Sequence, residues 1–176
     1  QVMEGLHGGP FARPLTRMRE TIEVVRLAEA GERLTLDGDQ IRLPLPGGEG
    51  RALRLSLRPG DEPLAIYIAS LSPRMLALTG EVADGWLGTS FVPEGARSSM
   101  DALAEGAARS GRMLADLDLC QGAEVAFARD EAELHEMLQR RKAGLAFSLG
   151  GMGSAQTNFY NAAYARQGFA DVAAES

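Results

Sequence analysis

The stretch that most constrains this chain runs from Leu64 to Leu87. Leu64 to Ala69 is an unbroken apolar run holding Ile66, Tyr67 and Ile68. A run of that kind, without alternation, is the pattern of a strand covered on both faces, as in a parallel sheet. Ser70-Leu71-Ser72 then forms a turn. Ser72 offers a side-chain oxygen to cap a helix, and Pro73 suits its first position, where the N–H it lacks would have no partner. Met75, Leu78, Thr79 and Val82 recur at helical spacing, which predicts a helix with one mostly apolar face. Gly85 closes the next turn, and Trp86-Leu87 opens a second strand.

The turn is also where chemistry can sit. A helix start presents N–H groups without intrahelical partners and the positive end of the helix dipole. Two serine hydroxyls flank this one, and the cation Arg74 follows in the first turn. Such a place either holds a phosphate or is simply a capped helix end, and the same residues serve both purposes.

Upstream, Glu4 to Pro10 reads as a glycine-rich loop containing His7. Arg13-Pro14 opens a helix in which Leu15, Met18, Ile22, Val25 and Ala28 keep helical spacing until Gly31. The period then changes to two. Leu34 and Leu36 alternate with polar residues, Asp37-Gly38 supplies a hairpin turn, and Ile41, Leu43 and Leu45 alternate back. Leu53, Leu55 and Leu57 alternate once more. Residues 33–58 are therefore expected to be a small antiparallel β insertion with one apolar face.

Downstream, Gly88 to Gly95 is a loop. Ser98 with Asp101 resembles a capping pair for a helix whose face is Met100, Leu103, Ala104 and Ala107, ended by Gly111. A third strand is expected within Leu117 to Ala128, chiefly Cys120 to Phe127. Asp130 with Glu133 signals another helix start, with Leu134, Met137 and Leu138 on its face. A glycine loop (Gly150, Gly151, Gly153) and a last helix over about 157–167 close the chain. Three successive strand–helix units predict an α/β sheet with right-handed crossovers.

Composition removes several function classes. The net charge is −6, and no basic run appears, so no nucleic-acid partner is expected. No apolar run approaches the ~20 residues of a membrane span, and no signal peptide is visible, so a cytoplasmic protein without a membrane partner is expected. Cys120 is the single cysteine and His7 and His135 the two histidines. That excludes an internal disulfide and gives no metal-ligand spacing, so no metal site is expected. Cys120 reads as an inert strand thiol and His135 as a surface residue.

The run Ile66 to Leu87 resembles the central segment of luciferase-like monooxygenases, most closely the branch that uses the deazaflavin coenzyme F420. Members typically read Tyr-Leu-Ala-Ala-Leu-Gly-Pro-Lys here, followed by an Ala-Gly-Glu-Ile-Ala-Asp-Gly-like run. This chain has Ser72 for the glycine and Arg74 for the lysine, and the arginine keeps the positive charge. Glu4-Gly5-Leu6-His7-Gly8-Gly9-Pro10-Phe11 followed by Arg13-Pro14-Leu15 is similar to the loop and helix after the family's fourth strand. Leu149-Gly150-Gly151-Met152-Gly153-Ser154 with Asn158-Phe159-Tyr160-Asn161 resembles a segment late in the barrel. The motifs fall in family order across essentially the whole chain.

The resemblance implies a partial (β/α)8 TIM barrel, because a complete one runs to about 250 residues. Residues 1–176 would form one incomplete barrel domain, with the first four βα units and the end of the barrel outside it. It implies an oxidoreductase that transfers hydride between coenzyme F420 and a small organic substrate, with Ser70, Leu71, Ser72 and Arg74 gripping the cofactor phosphate. His7 would lie at the active-site mouth, either touching the cofactor ring or a substrate, or acting as an acid or base, or simply solvated. Trp86, Thr89, Ser90 and Phe91 follow the sixth strand and would shape the substrate pocket, or, for Trp86, pack in the core. No catalytic residue is identified. The alternatives are an FMN-dependent monooxygenase and a truncated, non-catalytic chain that self-associates through open sheet edges; family members are often homodimers.

Overall fold

The computed structural model describes residues 2–56, 60, 62–153 and 157–175. A π-type turn at Val2–Leu6 stands where a loop was expected, and an extended stretch leads to α1 (Pro14–Glu29). Pro14 takes the first helical position, and Arg13 ahead of it is left-handed (φ 45°, ψ 52°). Gly31 ends the helix at φ 66°, a conformation that glycine adopts without strain.

Strands β1 (Leu36–Asp37) and β2 (Arg42–Leu43) form the expected hairpin, with Leu36 opposite Leu43. Its loop, residues 38–41, is built on Glu20 of α1. The buried Glu20 carboxylate accepts the amides of Asp39 (2.8 Å), Gln40 (2.9 Å) and Ile41 (2.7 Å). A Cβ at Gly38 would lie 2.5 Å from the Glu20 carboxyl carbon, so the loop seats only with glycine there. The third alternating run makes no strand among its described residues. It is reduced to one antiparallel bridge, Arg33 opposite Arg54, and Leu53 and Leu55 are exposed. Leu57 and Arg58, the end of the expected insertion, lie outside the described residues.

The centre is β3 (Tyr67–Ala69), α2 (Pro73–Val82), β4 (Gly85–Leu87), α3 (Arg97–Arg109) and β5 (Asp118–Cys120). The three strands are parallel in the order β3-β4-β5, with Ile68, Trp86 and Leu119 in register. One face is covered: Ile68 packs with Ile22 of α1 and Ala83, and Trp86 packs with Leu76, Leu103 and Ala107 of the helices. Each such buried leucine or tryptophan contributes roughly 1.5–3 kcal/mol or more. The expectation of two covered faces fails, because Tyr67 and Leu87 on the opposite face are exposed. An apolar run records what a strand can accept on both sides, not which atoms are there to cover it.

Helices α2 and α3 touch backbone to backbone. A Cβ on Gly106 would lie 1.8 Å from the Ala77 carbonyl oxygen, and one on Gly80 would lie 2.1 Å from that of Leu103. This contact rotates α3, so its buried face is Ser99, Ala102, Leu103, Gly106 and Ala107, and Ala104 turns partly outward. The helix begins behind a 3-10 turn at Pro93–Gly95, so Ser98 falls inside the first turn and does not cap it.

Strand β5 is shorter than expected. The last ladder bond there is Gly88 N–H to the Cys120 carbonyl (2.7 Å), beyond which β4 offers nothing to pair with. Val125 and Phe127, read as strand, are exposed. Asp130 caps α4 (Glu131–Ala146) by accepting the Glu133 amide at 2.8 Å, as the sequence indicates, but Leu134 and Leu138 remain exposed.

The final helical segment is kinked rather than continuous. It comprises α5 (Phe159–Tyr164), a π-type turn Ala165–Phe169 broken at Gly168, and α6 (Ala170–Ala174). Gln167 docks it onto the loop after β4: its Oε1 accepts Val92 N–H (2.7 Å), and its Nε2 donates to the carbonyl oxygens of Ser90 (2.8 Å) and Ala163 (3.0 Å). Among the described residues no helix is long and apolar enough to cross a membrane.

Candidate functional site

The carboxyl end of β3 opens into a cavity of about 740 Å³. Ala69, Ser70, Leu71 and Ser72 line it, with Arg74 and Met75 from the first turn of α2. Arg13, Pro14, Leu15 and Thr16 bring the start of α1 to the same space, and Asp39 reaches it from the hairpin. Phe11, Phe159 and Tyr160 complete the wall, the two phenylalanine rings meeting edge to face with centroids 6.3 Å apart. Two helix N-termini therefore border one cavity, and a helix start carries amide hydrogens without intrahelical partners and the positive end of its dipole.

The turn is held from three sides. Ser70 is buried; its carbonyl accepts the Trp86 indole N–H (3.1 Å), and its hydroxyl lies 2.9 Å from Thr79 Oγ1. Ser72 is the helix cap, its Oγ accepting Met75 N–H at 3.4 Å. Arg166, from the C-terminal segment, donates to the Leu71 carbonyl at 2.9 Å. These contacts fix the loop's backbone without using the first-turn cation.

Two guanidinium groups stand at the cavity. Arg13 is ion-paired with Asp39 at 3.2 Å, and both side chains are largely exposed. Arg74 has no carboxylate partner among the described residues. Burial would raise the Glu20 carboxyl behind the hairpin, but the amides of Gln40, Ile41 and Asp39 and the nearby Arg17 charge outweigh it and hold the group below the ordinary carboxylate range. On the open sheet face, Tyr67 reaches across Gly85 to bond Asp118 at 2.5 Å, and that bond, with burial, pushes the phenol up. Burial and Asp118 likewise push the Cys120 thiol up, away from thiolate character.

Ser70, Leu71, Ser72 and Arg74 are thus brought together around one cavity. His7 is exposed and is not among the residues lining it. Trp86, Thr89, Ser90 and Phe91 lie round a separate cleft of about 10 Å³, space for about one water molecule. There Trp86 is core, packed edge to face on Phe91 at 5.4 Å, and the Ser90 carbonyl is taken by Gln167. Sequence reasoning passed over Phe11, Arg13, Asp39, Phe159 and Tyr160. Phe11, Arg13, Phe159 and Tyr160 lay inside recognised motifs, whereas nothing local marked Asp39. Among the described residues no group of three or more His, Cys, Asp or Glu side chains is placed to hold a metal.

Comparison with known proteins bears on the fold and the family. A Mycobacterium tuberculosis protein, provisionally named as a coenzyme F420-dependent oxidoreductase, is 37% identical over 99% of this chain and 52% of its own length. The 5,10-methylenetetrahydromethanopterin reductase of Methanolobus tindarius is 33% identical over 75% of this chain and 38% of its own. The solved structure of the coenzyme F420 dependent tetrahydromethanopterin reductase from Methanopyrus kandleri superposes with a TM-score of 0.61 at 25% identity, over 81% of this chain and 38% of that one. The chain spans about half the length of the first of these relatives and less of the others. Its parallel strands and helices are part of a luciferase-like (β/α) barrel. The profile of luciferase-like monooxygenases matches residues 1–176, and the chain belongs to that family.

Proposed function

We propose that this chain forms the cofactor-holding part of an oxidoreductase that passes hydride between coenzyme F420 and a small organic substrate. The observation that carries the reading is the cavity on which the starts of α1 and α2 converge beside Arg13 and Arg74. The names of the relatives support the cofactor.

The residues fit such a group. A phosphate needs donors and positive charge, which the helix starts, the Ser72 hydroxyl and Arg74 offer. A deazaflavin ring needs an apolar wall, which Phe11, Leu15, Met75 and Phe159 offer. When bound, the deazaflavin supplies the hydride chemistry itself. The chain's part is to anchor the phosphate at Ser72 and Arg74, keep the turn rigid through Ser70, Trp86 and Arg166, and exclude water along the aromatic side. In this reading residues 1–176 are one incomplete barrel domain with the hairpin region 33–58 inserted.

FMN carries a phosphate and a tricyclic ring as well, so the test is a competitive titration of both cofactors. Coenzyme F420 is expected to bind more tightly than FMN, and Arg74→Gln to weaken it about tenfold, as loss of a hydrogen bond to a charged group does. Tighter FMN binding would turn the reading to an FMN-dependent monooxygenase. A second reading, a non-catalytic chain that self-associates, draws on the exposed Tyr67 and Leu87 of the open sheet face. Sedimentation separates the two: a cofactor-loaded monomer excludes it.

A further inference from the structure

We infer that Asp39 is a charge gate on the cavity: the hairpin holds its carboxylate against Arg13, and an anionic ligand competes with it for that guanidinium. The inference rests on reading the cavity as an anion-binding cofactor site. Asp39 is not a freely placed loop residue. Its own amide and those of Gln40 and Ile41 are tied to the buried Glu20 carboxylate, and Gly38 seats against the same group. The backbone of Arg13 is set at the start of α1 in a left-handed conformation, and its side chain makes no cap bond, so the guanidinium is free to pair with Asp39. Their side chains meet at 3.2 Å while both remain mostly exposed, 63% for Arg13 and 67% for Asp39.

That combination suits exchange. An ion pair open to water is weak, because solvent screens it and two side chains are ordered to make it. An anionic phosphate group beside a helix N-terminus and a second cation, Arg74, competes for Arg13. A neutral or weakly charged ligand does not. Asp39 thereby lowers affinity for every anion, and it selects those with charge enough to open the pair. Once Arg13 turns to the ligand, Asp39 is left unpaired beside a like charge.

The test measures binding of inorganic phosphate and of coenzyme F420 to the purified chain and to Asp39→Asn, Arg13→Gln and the double variant. Asp39→Asn is isosteric and exposed, so the fold is expected to survive. It should tighten both probes about two- to fivefold at low salt, the range set by an exposed ion pair. The gain should shrink at high salt and vanish in the Arg13→Gln background. No gain, weaker binding, or an equal gain without Arg13 would overturn the gate. Phosphate binding that responds to Asp39 without coenzyme F420 binding keeps the gate and rejects the cofactor. Coenzyme F420 binding indifferent to Asp39 does the reverse, and binding of neither probe rejects both.

Discussion

The Ser70 hydroxyl donates to Thr79 Oγ1, because the Thr79 proton is already given to the Met75 carbonyl at 2.8 Å. Ser70 therefore has no proton left for a ligand. Ser72 accepts the Met75 amide, which leaves its own O–H free to point into the cavity. The two serines should separate in a binding assay. Ser72→Ala should weaken coenzyme F420 binding by about tenfold and cost about 0.5–1 kcal/mol of stability as a lost cap. Ser70→Ala should leave the affinity within about twofold and cost about 1 kcal/mol of stability. Equal affinity losses would contradict the assignment. The Ser72 cap was legible because Ser-Pro is a local signal. The role of Ser70 was not, because its partner Thr79 read only as a member of an apolar helix face.

Helix starts at Pro14, Pro73 and Glu131 could be read directly, since caps and prolines act over four residues. Where elements end or turn inward depended on partners distant in sequence. Strand β5 stops at Cys120 because β4 stops, and α3 is rotated by its backbone contact with α2. That contact makes Gly106→Ala destabilising even though alanine is the better helix former. The clash with the Ala77 carbonyl outweighs a propensity gain of about 1 kcal/mol, and a net loss of about 1–3 kcal/mol is expected in urea unfolding. Wild-type stability in that variant would mean the helices can part freely.

Acid should act at the same scale. Several carboxyls that join elements lie below their ordinary value of 4.5: Glu29 through the Leu64 amide and Arg26, Glu81 through Arg19, and Glu20 through the hairpin amides, which overcome its burial. Groups depressed in the fold contribute stability that is complete above their unfolded value and is lost as pH falls through the folded one. Urea midpoints should thus hold from neutral pH to about 5 and drop below about 4.5. Glu20→Gln should lower the neutral midpoint and flatten the acid limb. An unchanged acid limb would remove the hairpin anchor from the account.

At the scale of the whole molecule, the α/β class and the family were legible because motif order survives even where element lengths do not. The two-sided covering expected for β3 was not borne out, since a covering layer is a property of neighbours that no run of residues encodes. The cavity was half legible. Its floor at Ser70 to Arg74 lies in one motif, but Arg13, Asp39 and Phe159 arrive from three separate stretches joined only by the fold. The central claim is that this assembly holds a phosphate-bearing deazaflavin. Equilibrium binding of coenzyme F420 to the purified chain, with FMN as competitor, tests it most directly. Saturable binding that weakens in Ser72→Ala and Arg74→Gln is the predicted result, and no binding, or binding indifferent to both substitutions, would contradict it.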